Sequence, residues 1–256
     1  MNYKQHLEHN IFKIISQAAQ ELNLECYVIG GFVRDILLNR DHKKDIDIVA
    51  VGSGIELALK VSELIPFHPK VQVFKIYGTA MLRYDDIDVE FVGARKESYT
   101  HDSRNPLVEN GTLKDDQERR DFTINALAFS LNSENFGDLV DPFNGVEDLK
   151  NKIIKTPLNP DITYSDDPLR MMRAIRFATQ LNFEIETDSL EAISKNKDRI
   201  NIISGERIVD ELHKILASEK PSIGFLHLYQ TGLLDIILPE LTALNNVEEV
   251  EGHTHK

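Results

Sequence analysis

Asp45 and Asp47 stand two residues apart in the stretch DIDIVAV, alternating with Ile46 and Ile48. A strand repeats every two residues at about 3.3 Å per residue, so both acids point to one face, about 6–7 Å apart along the backbone, while Ile46 and Ile48 point to the core. Carboxylates so placed can converge on metal, and a two-metal site needs acids that bridge ions about 3.5–4 Å apart. Mg²⁺ is the natural occupant, a hard cation that takes oxygen ligands and substrate phosphates. A third acid comes from IDVEFV (87–92), where Asp88 and Glu90 share one strand face; no cysteine or histidine pattern competes for a softer metal. A bare acid-x-acid triplet is more often a solvated strand edge. The stretch GGFVRD ahead of it shifts that balance. Gly30-Gly31, between strand and helix, lets backbone N–H groups approach a ligand, and the helix N-terminus adds partial positive charge. Together they suit a triphosphate, with Arg34 placed to add a charge-assisted contact.

The elements that must position these residues follow from periodicity. A helix runs to about Asn23, and short β-branched runs at 27–29, 46–51, 71–76, 80–84 and 87–92 read as a small sheet. Val33, Ile36 and Leu37 recur at helical spacing after the glycine pair, giving strand, tight turn, helix. Helical spacing then dominates at 122–131, 167–181, 188–195, 205–217 and 223–234. Strands first and helices after indicate an α+β head followed by an all-helical part. The polar stretch 98–116 has no clear period and reads as a long functional loop.

The chain has 256 residues, 41% of them hydrophobic, enough for one large domain or two smaller ones. Cys26 is the only cysteine, which excludes a disulfide framework or a zinc ribbon and fits a reducing compartment, by default the cytoplasm. No signal peptide or membrane span is visible at the N-terminus, where Ile11, Ile14, Ile15 and Ala18 keep helical spacing. A formal charge of −13 argues mildly against nucleic acid, although Lys150, Lys152 and Lys155, Arg170, Arg173 and Arg176, and Lys195, Lys197 and Arg199 offer a local positive stripe.

The glycine turn followed by acid, apolar, acid resembles the nucleotidyltransferase superfamily that shares a palm-like sheet with DNA polymerase β. Four further stretches, ERRDFTINALAFSL (118–131), GDLVDPFNGVEDLKNKIIKTP (137–157), SDDPLRMMRAIRFA (165–178) and SGERIVDELHKIL (204–216), are similar, in order, to motifs of the bacterial and eukaryotic class of CCA-adding tRNA nucleotidyltransferases and their poly(A) polymerase relatives. The resemblance implies a palm-type head over 1–148, a helical neck over 149–218 that recognises the base and RNA, and the start of a helical body over 219–256. It implies template-independent addition of C, C and A to the tRNA 3′ end from CTP and ATP with two Mg²⁺ ions. Asp45, Asp47 and Glu90 become the metal-binding, catalytic acids, Glu90 being preferred to Asp88 because acid, apolar run, Arg aligns with 90–95. Gly30, Gly31 and Arg34 lie near the triphosphate, and Arg120, Asp121 and Asn125 contact the sugar and phosphates of the incoming nucleotide. Read without the resemblance, the last three sit on an N-capped core helix opened at Asp121.

In 165–178, Ser165 is the expected N-cap, and Asp167, Arg170 and Arg173 project to one side while Met171, Met172, Ile175 and Ala178 cover the other. An i,i+3 ion pair on a surface helix would explain the first set; the resemblance instead makes Asp167 and Arg170 pair with the base edge, Asp accepting from an exocyclic amino group and Arg donating to the ring. The resemblance also brings Arg207 to the nucleotide pocket, and the loop at 98–117 corresponds to one linked to switching from C to A addition. In many relatives a motif beginning His-Lys opens a metal-dependent HD domain, so His255-Lys256 would mark its start and this chain a fragment. The nearest rival is a poly(A) polymerase or A-adding enzyme with the same motifs. A non-catalytic RNA-binding relative is a rival of another class, which loss of an acid would favour; a small-molecule nucleotidyltransferase would not need the motifs at 118–131 and 165–178.

Overall fold

The computed structural model describes residues 1–40, 45–100 and 103–244. It divides into two compact units, Met1–Asn159 and Pro160 onward. The division falls beyond 148 because the helix Gly145–Asn151 belongs to the head: Thr123 Oγ1 donates to Asp148 Oδ2 at 2.6 Å. His253, His255 and Lys256 lie outside the described residues.

The head is built on strands β1 (Glu25–Ile29), β2 (Asp45–Val51), β3 (Gln72–Phe74), β4 (Thr79–Tyr84), β5 (Ile87–Gly93), β6 (Arg95–Thr100), β7 (Ser103–Asn110), β8 (Ala128–Ser130) and β9 (Leu139–Val140). Seven of them form one mixed sheet in the order β3-β4-β5-β2-β1-β8-β9. β2 and β5 pair in parallel, and the remaining pairs are antiparallel. A parallel pair needs a crossover long enough to cover the sheet, and helix α3 (Gly54–Leu64) lies within it, after α1 (Asn10–Glu21) and α2 (Gly31–Leu37). Ser53 caps α3 by accepting from Glu56 N at 3.2 Å, and Leu57, Ala58 and Val61 are buried. Ile46, Ile48, Val89 and Phe91 are buried on one face of the sheet. By the two-residue period, Asp45, Asp47, Asp88 and Glu90 share the other face, where Tyr27, Ile29, Val49, Ala94 and Ala128 form a smaller core.

The α+β class and the strands expected at 27–29, 46–51, 80–84 and 87–92 are present. Two readings of the head are corrected. The described part of 98–116 is not a loop: β6 and β7 pair antiparallel, and α4 (Leu113–Glu118) opens with a capping box between Thr112 and Asp115. Residues 122–131 are not a helix but a 3₁₀ turn, Thr123–Asn125, followed by β8, whose edge is claimed by β1 through Val28↔Phe129. The helical spacing of Ile124, Leu127 and Leu131 was real, but Ala128, Phe129 and Ser130 between them are buried as well, which a one-faced helix would not do.

The second unit is helical: α5 being the head helix Gly145–Asn151, it contains α6 (Pro160–Asp166), α7 (Leu169–Leu181), α8 (Thr187–Asn196), α9 (Gly205–Leu216) and α10 (Pro221–Gln230). Ser165 lies inside α6 and does not cap α7, whose N-cap position is Pro168; Asp167 Oδ1, one residue earlier, accepts from Leu169 N at 3.3 Å. The single helix expected over 223–234 stops at Thr231, because Gly232 at φ +72° takes the left-handed conformation, and a short helix Leu234–Ile237 follows.

The crossover packs α3 directly on the end of β5: a Cβ at Gly54 would lie 2.6 Å from the Val92 carbonyl carbon, whereas one at Gly205 would meet nothing within 4 Å. Gly54→Ala is therefore expected to lower stability by about 2–3 kcal/mol, read as a shift of the urea midpoint, and Gly205→Ala to lower it little; equal midpoints for the two variants would contradict this packing.

Candidate active site

The acids gather through strand register. Asp47 is paired with Glu90 across the parallel β2–β5 ladder, and Asp45 with Asp88. The register therefore separates the two candidates for third acid: Glu90 neighbours Asp47, and Asp88 lies 3.8 Å from Arg83 Nη1. Burial raises the Asp47 carboxyl above the ordinary aspartate range; the Arg120 guanidinium opposes this, and Asp45 and Asp116 add to it. Glu90 is raised by burial and by Asp47, with Arg95 opposing. Among the described residues no three His, Cys, Asp or Glu side chains are gathered as a ready metal cluster.

Gly30 joins β1 to α2 at φ +85°, a left-handed backbone for which a residue without Cβ is suited. A Cβ there would also stand 3.2 Å from Arg120 Nη1 and 3.3 Å from Asp47 Oδ2. The turn thus places backbone between a carboxylate and a guanidinium. Helix α2 is too short for its dipole alone to make an anion site. Arg34, buried on its last turns, is held by Asp35 (Nε to Oδ1, 2.8 Å) and donates from Nη1 to Asn125 Oδ1 at 2.9 Å. Asn125 Nδ2 in turn donates to Asp121 Oδ1 at 3.0 Å, and the same oxygen accepts from Phe122 N at 2.9 Å. Gly30, Arg34, Arg120, Asp121 and Asn125 are thereby brought together beside Asp47.

Four residues around that group, Asp116, Arg119, Gln117 and Asp35, carry no expectation from sequence. Asp116 is fully buried on α4; burial would raise its carboxyl, but the Arg120 and Arg119 guanidiniums outweigh it and hold the carboxyl below the ordinary range. Arg119 Nε donates to Asp116 Oδ1 at 2.9 Å and Arg120 Nη2 to Oδ2 at 3.1 Å. Gln117 Nε2 donates to the Ala126 carbonyl at 2.6 Å, fastening α4 to the 3₁₀ turn. Their signal was an acid three and four residues ahead of two arginines, hidden in a stretch read as loop. Asp35, adjacent to Arg34, was missed for lack of any spacing signal.

Asp167, Arg170 and Arg173 belong to the second unit, all three partly buried at or on α7, with Met171, Met172, Ile175 and Ala178 fully buried on its other side. Arg176, counted above in a positive stripe, is instead buried: its Nε lies 2.6 Å from Glu211 Oε2 of α9, and its guanidinium sits 4.0 Å from the Phe177 ring centroid. Arg207 is exposed near the start of α9.

Residues 26–155 match the family model described as the poly A polymerase head domain, and 182–244 match that of a probable RNA and SrmB-binding site of polymerase A. The chain is 39% identical over 212 residues to an A-adding tRNA nucleotidyltransferase of Aquifex aeolicus, covering 81% of this chain and 25% of the relative. It is 40% identical over 205 residues to a CCA-adding enzyme of Lactobacillus helveticus, covering 78% and 48%. Among solved structures, a Thermotoga maritima CCA-adding enzyme complexed with tRNA-CCA aligns with TM-score 0.80 at 30% identity, over 94% of this chain and 56% of that one. A tRNA nucleotidyltransferase complexed with a primer tRNA and an incoming ATP analog aligns with TM-score 0.76 at 32% identity, over 88% and 62%. The chain thus spans about a quarter of the A-adding relative and about half of the CCA-adding one.

The opposed shifts of two buried acids give opposed pH behaviour. Asp116, depressed when folded, stabilises above the ordinary aspartate pKa, and that stability is lost as pH falls through its folded pKa. Asp47, raised when folded, costs stability once pH passes above the ordinary value. In metal-free buffer, Asp116→Asn is expected to lose about 3 kcal/mol at pH 7, shrinking in acid. Asp47→Asn is expected to raise the unfolding midpoint at pH 7 and to match the parent near pH 3; urea titrations at both pH values check the signs.

Proposed function

Since the chain belongs to the poly A polymerase head-domain family, we propose that it is a tRNA nucleotidyltransferase whose head transfers CMP and AMP from CTP and ATP to the tRNA 3′ end. One observation carries the reading: Asp47 and Glu90 are direct register partners on a sheet face that the Gly30 turn and Arg120 border. A non-catalytic RNA-binding relative would have no need to keep two like charges side by side on one sheet face.

Asp45, Asp47 and Glu90 are the oxygen donors that would hold Mg²⁺. Asp47 and Glu90 are register partners and Asp45 shares their face; burial raises Asp47, with Asp45 adding to it, and burial and Asp47 raise Glu90, a cost that a bound divalent cation would relieve. When bound, the ions supply Lewis-acid activation of the RNA 3′-hydroxyl and neutralise charge on the departing pyrophosphate. The chain's own residues do the rest. The Gly30-Gly31 backbone, free of Cβ atoms, lets the triphosphate approach closely, and Arg120, held by Asp116, offers it fixed positive charge. Arg34, Asn125 and Asp121, joined by hydrogen bonds, form a preorganised polar edge for the ribose. On the family resemblance, Asp167 and Arg170 select the base: carboxylate oxygens accept from the exocyclic amino group that cytosine and adenine share, and guanidinium N–H groups donate to the ring.

A narrower reading, addition of A alone, is favoured by two relatives named A-adding tRNA nucleotidyltransferases, 39% and 36% identical over 81% and 94% of this chain. Incorporation of each nucleotide into transcripts ending before CCA or after CC separates the two. C, C, A in order followed by arrest supports CCA addition; A alone, after CC, supports A addition; A on any RNA without arrest supports a poly(A) polymerase. Asp47→Ala is expected to lower incorporation at least a thousandfold, about 4 kcal/mol of barrier, and Asp167→Ala to relax choice among the four nucleotides. Independently of activity, Mg²⁺ is expected to raise the thermal midpoint of the parent and not of Asp47→Asn; a midpoint indifferent to Mg²⁺ in both would remove these acids from metal binding.

A further inference from the structure

Between Leu64 and Tyr84 the chain carries no Asp or Glu, although acids number 42 among its 256 residues. The same stretch carries Lys70 and Lys75, besides Arg83, which is paired with Asp88, and so bears local positive charge on a chain of net charge −13. It also displays aromatic and apolar surface: Phe74 is 43% exposed, Tyr77 69% and Ile76 92%. These residues form the β3–β4 hairpin, whose tip is hydrogen-bonded (Tyr77 N to Phe74 O, 3.0 Å; Gly78 N to Lys75 O, 3.3 Å) and turns through Gly78 at φ +64°. Large side chains are thus held out to solvent on a defined turn, where burial would have been the cheaper arrangement.

Register fixes which way the hairpin looks. Gln72 pairs with Met81, Met81 with Glu90, and Glu90 with Asp47, one row across four strands. Phe74, two residues beyond Gln72, therefore shares the face of the sheet that holds Asp47 and Glu90. Two strand spacings separate β3 from β5, about 10 Å, a distance that a nucleic-acid strand covers in its last few nucleotides. Exposed rings interleaved with lysines, and no acid among them, are the recurring equipment for binding single strands: bases stack on the rings and the cations follow the phosphates. A protein partner would be served by the rings but would not require an acid-free surround.

We infer that the β3–β4 hairpin is a stacking platform for the single-stranded 3′ segment of the acceptor RNA, with Phe74 and Tyr77 beneath bases and Lys70 and Lys75 along phosphates. The inference rests on the function proposed above and adds the path by which the acceptor reaches the acids. The test measures binding apart from chemistry: fluorescence anisotropy of a 5′-labelled single-stranded RNA of about eight nucleotides and of a tRNA transcript ending in CC, with incorporation assayed in parallel. The variants are Phe74→Ala with Tyr77→Ala, Phe74→Tyr, and Lys75→Gln, each checked by its melting midpoint, which exposed positions should leave in place. The double variant is expected to bind both RNAs about ten- to a hundredfold more weakly and to raise the KM for RNA with the KM for ATP unchanged. Phe74→Tyr, which keeps a ring, should restore binding, and Lys75→Gln should lower the salt slope by about 0.7. Parent-like RNA affinity in the double variant overturns the platform while incorporation by the parent leaves the transferase reading standing. Platform-dependent binding without incorporation does the reverse. No RNA binding by the parent, or loss of self-association in the double variant with RNA binding intact, also overturns it.

Discussion

Like charge gathered on one sheet face, with Asp47 partly buried, is the constraint around which the head is organised. Asp47 feels Asp45, Asp116 and the desolvation of its own position, and Glu90 feels Asp47. Such a group is tolerable only if fixed cations stand close, and Arg120 is the nearest. Arg120 cannot wander, because Asp116 grips it and Arg119 from beneath with zero exposure to water. The backbone of the β1–α2 turn then fits against Arg120 and Asp47 only because Gly30 lacks a Cβ. The parallel pairing that sets Glu90 beside Asp47 in turn needs the crossover through α3, and with it the close packing of Gly54 on β5. Each link exists to hold repelling carboxylates where water would otherwise separate them.

What could be read from sequence divides along physical lines. Period-two alternation around Asp45 and Asp47 shows the strand and the shared face, and Gly30-Gly31 shows the turn, because both signals are local. The choice between Glu90 and Asp88 is not local: both lie on the same face of β5, and only the register with β2 sets one beside Asp47 and the other beside Asp45. Asp116 was hidden for a different reason. Its helix is short and polar, so it lacks apolar periodicity, and its only signatures are the Thr112–Asp115 cap and the spacing to Arg119 and Arg120. The error at 122–131 is one of tertiary override: a segment with helical spacing became a strand because β1 offered an unpaired edge, and because Asp121 spends its side chain on Phe122 N and Asn125.

In the helical unit the same sequence rule succeeded and failed within one helix. Apolar spacing placed Met171, Met172, Ile175 and Ala178 inside correctly, and left the arginines outside. Arg176 departs because burial of a guanidinium is permitted where a carboxylate and a ring face receive it, here Glu211 and Phe177. The consequence is positional: α7 is pinned to α9 through Arg176, so the side bearing Asp167, Arg170 and Arg173 is fixed in rotation about the helix axis. The base selection proposed for Asp167 and Arg170 would need that constraint more than it needs stability, since a turn of a few tens of degrees would misdirect the donors.

The acidity of the chain is compatible with the proposed RNA substrate once length scales are compared. At physiological salt the Debye length is about 8 Å, shorter than the span of the seven-stranded sheet, so a bound strand responds to the charges along its own path and hardly to the sum of −13. A site built from Asp45, Asp47 and Glu90 must also repel a polyanion until cations balance it. The acid-free hairpin at 64–84 supplies positive charge and ring surface at one edge of the same face, and the arginines held by Asp116 supply it at the turn. Net charge therefore measures how many carboxylates the fold carries, whereas the field at a bound strand depends on where cations stand along its path.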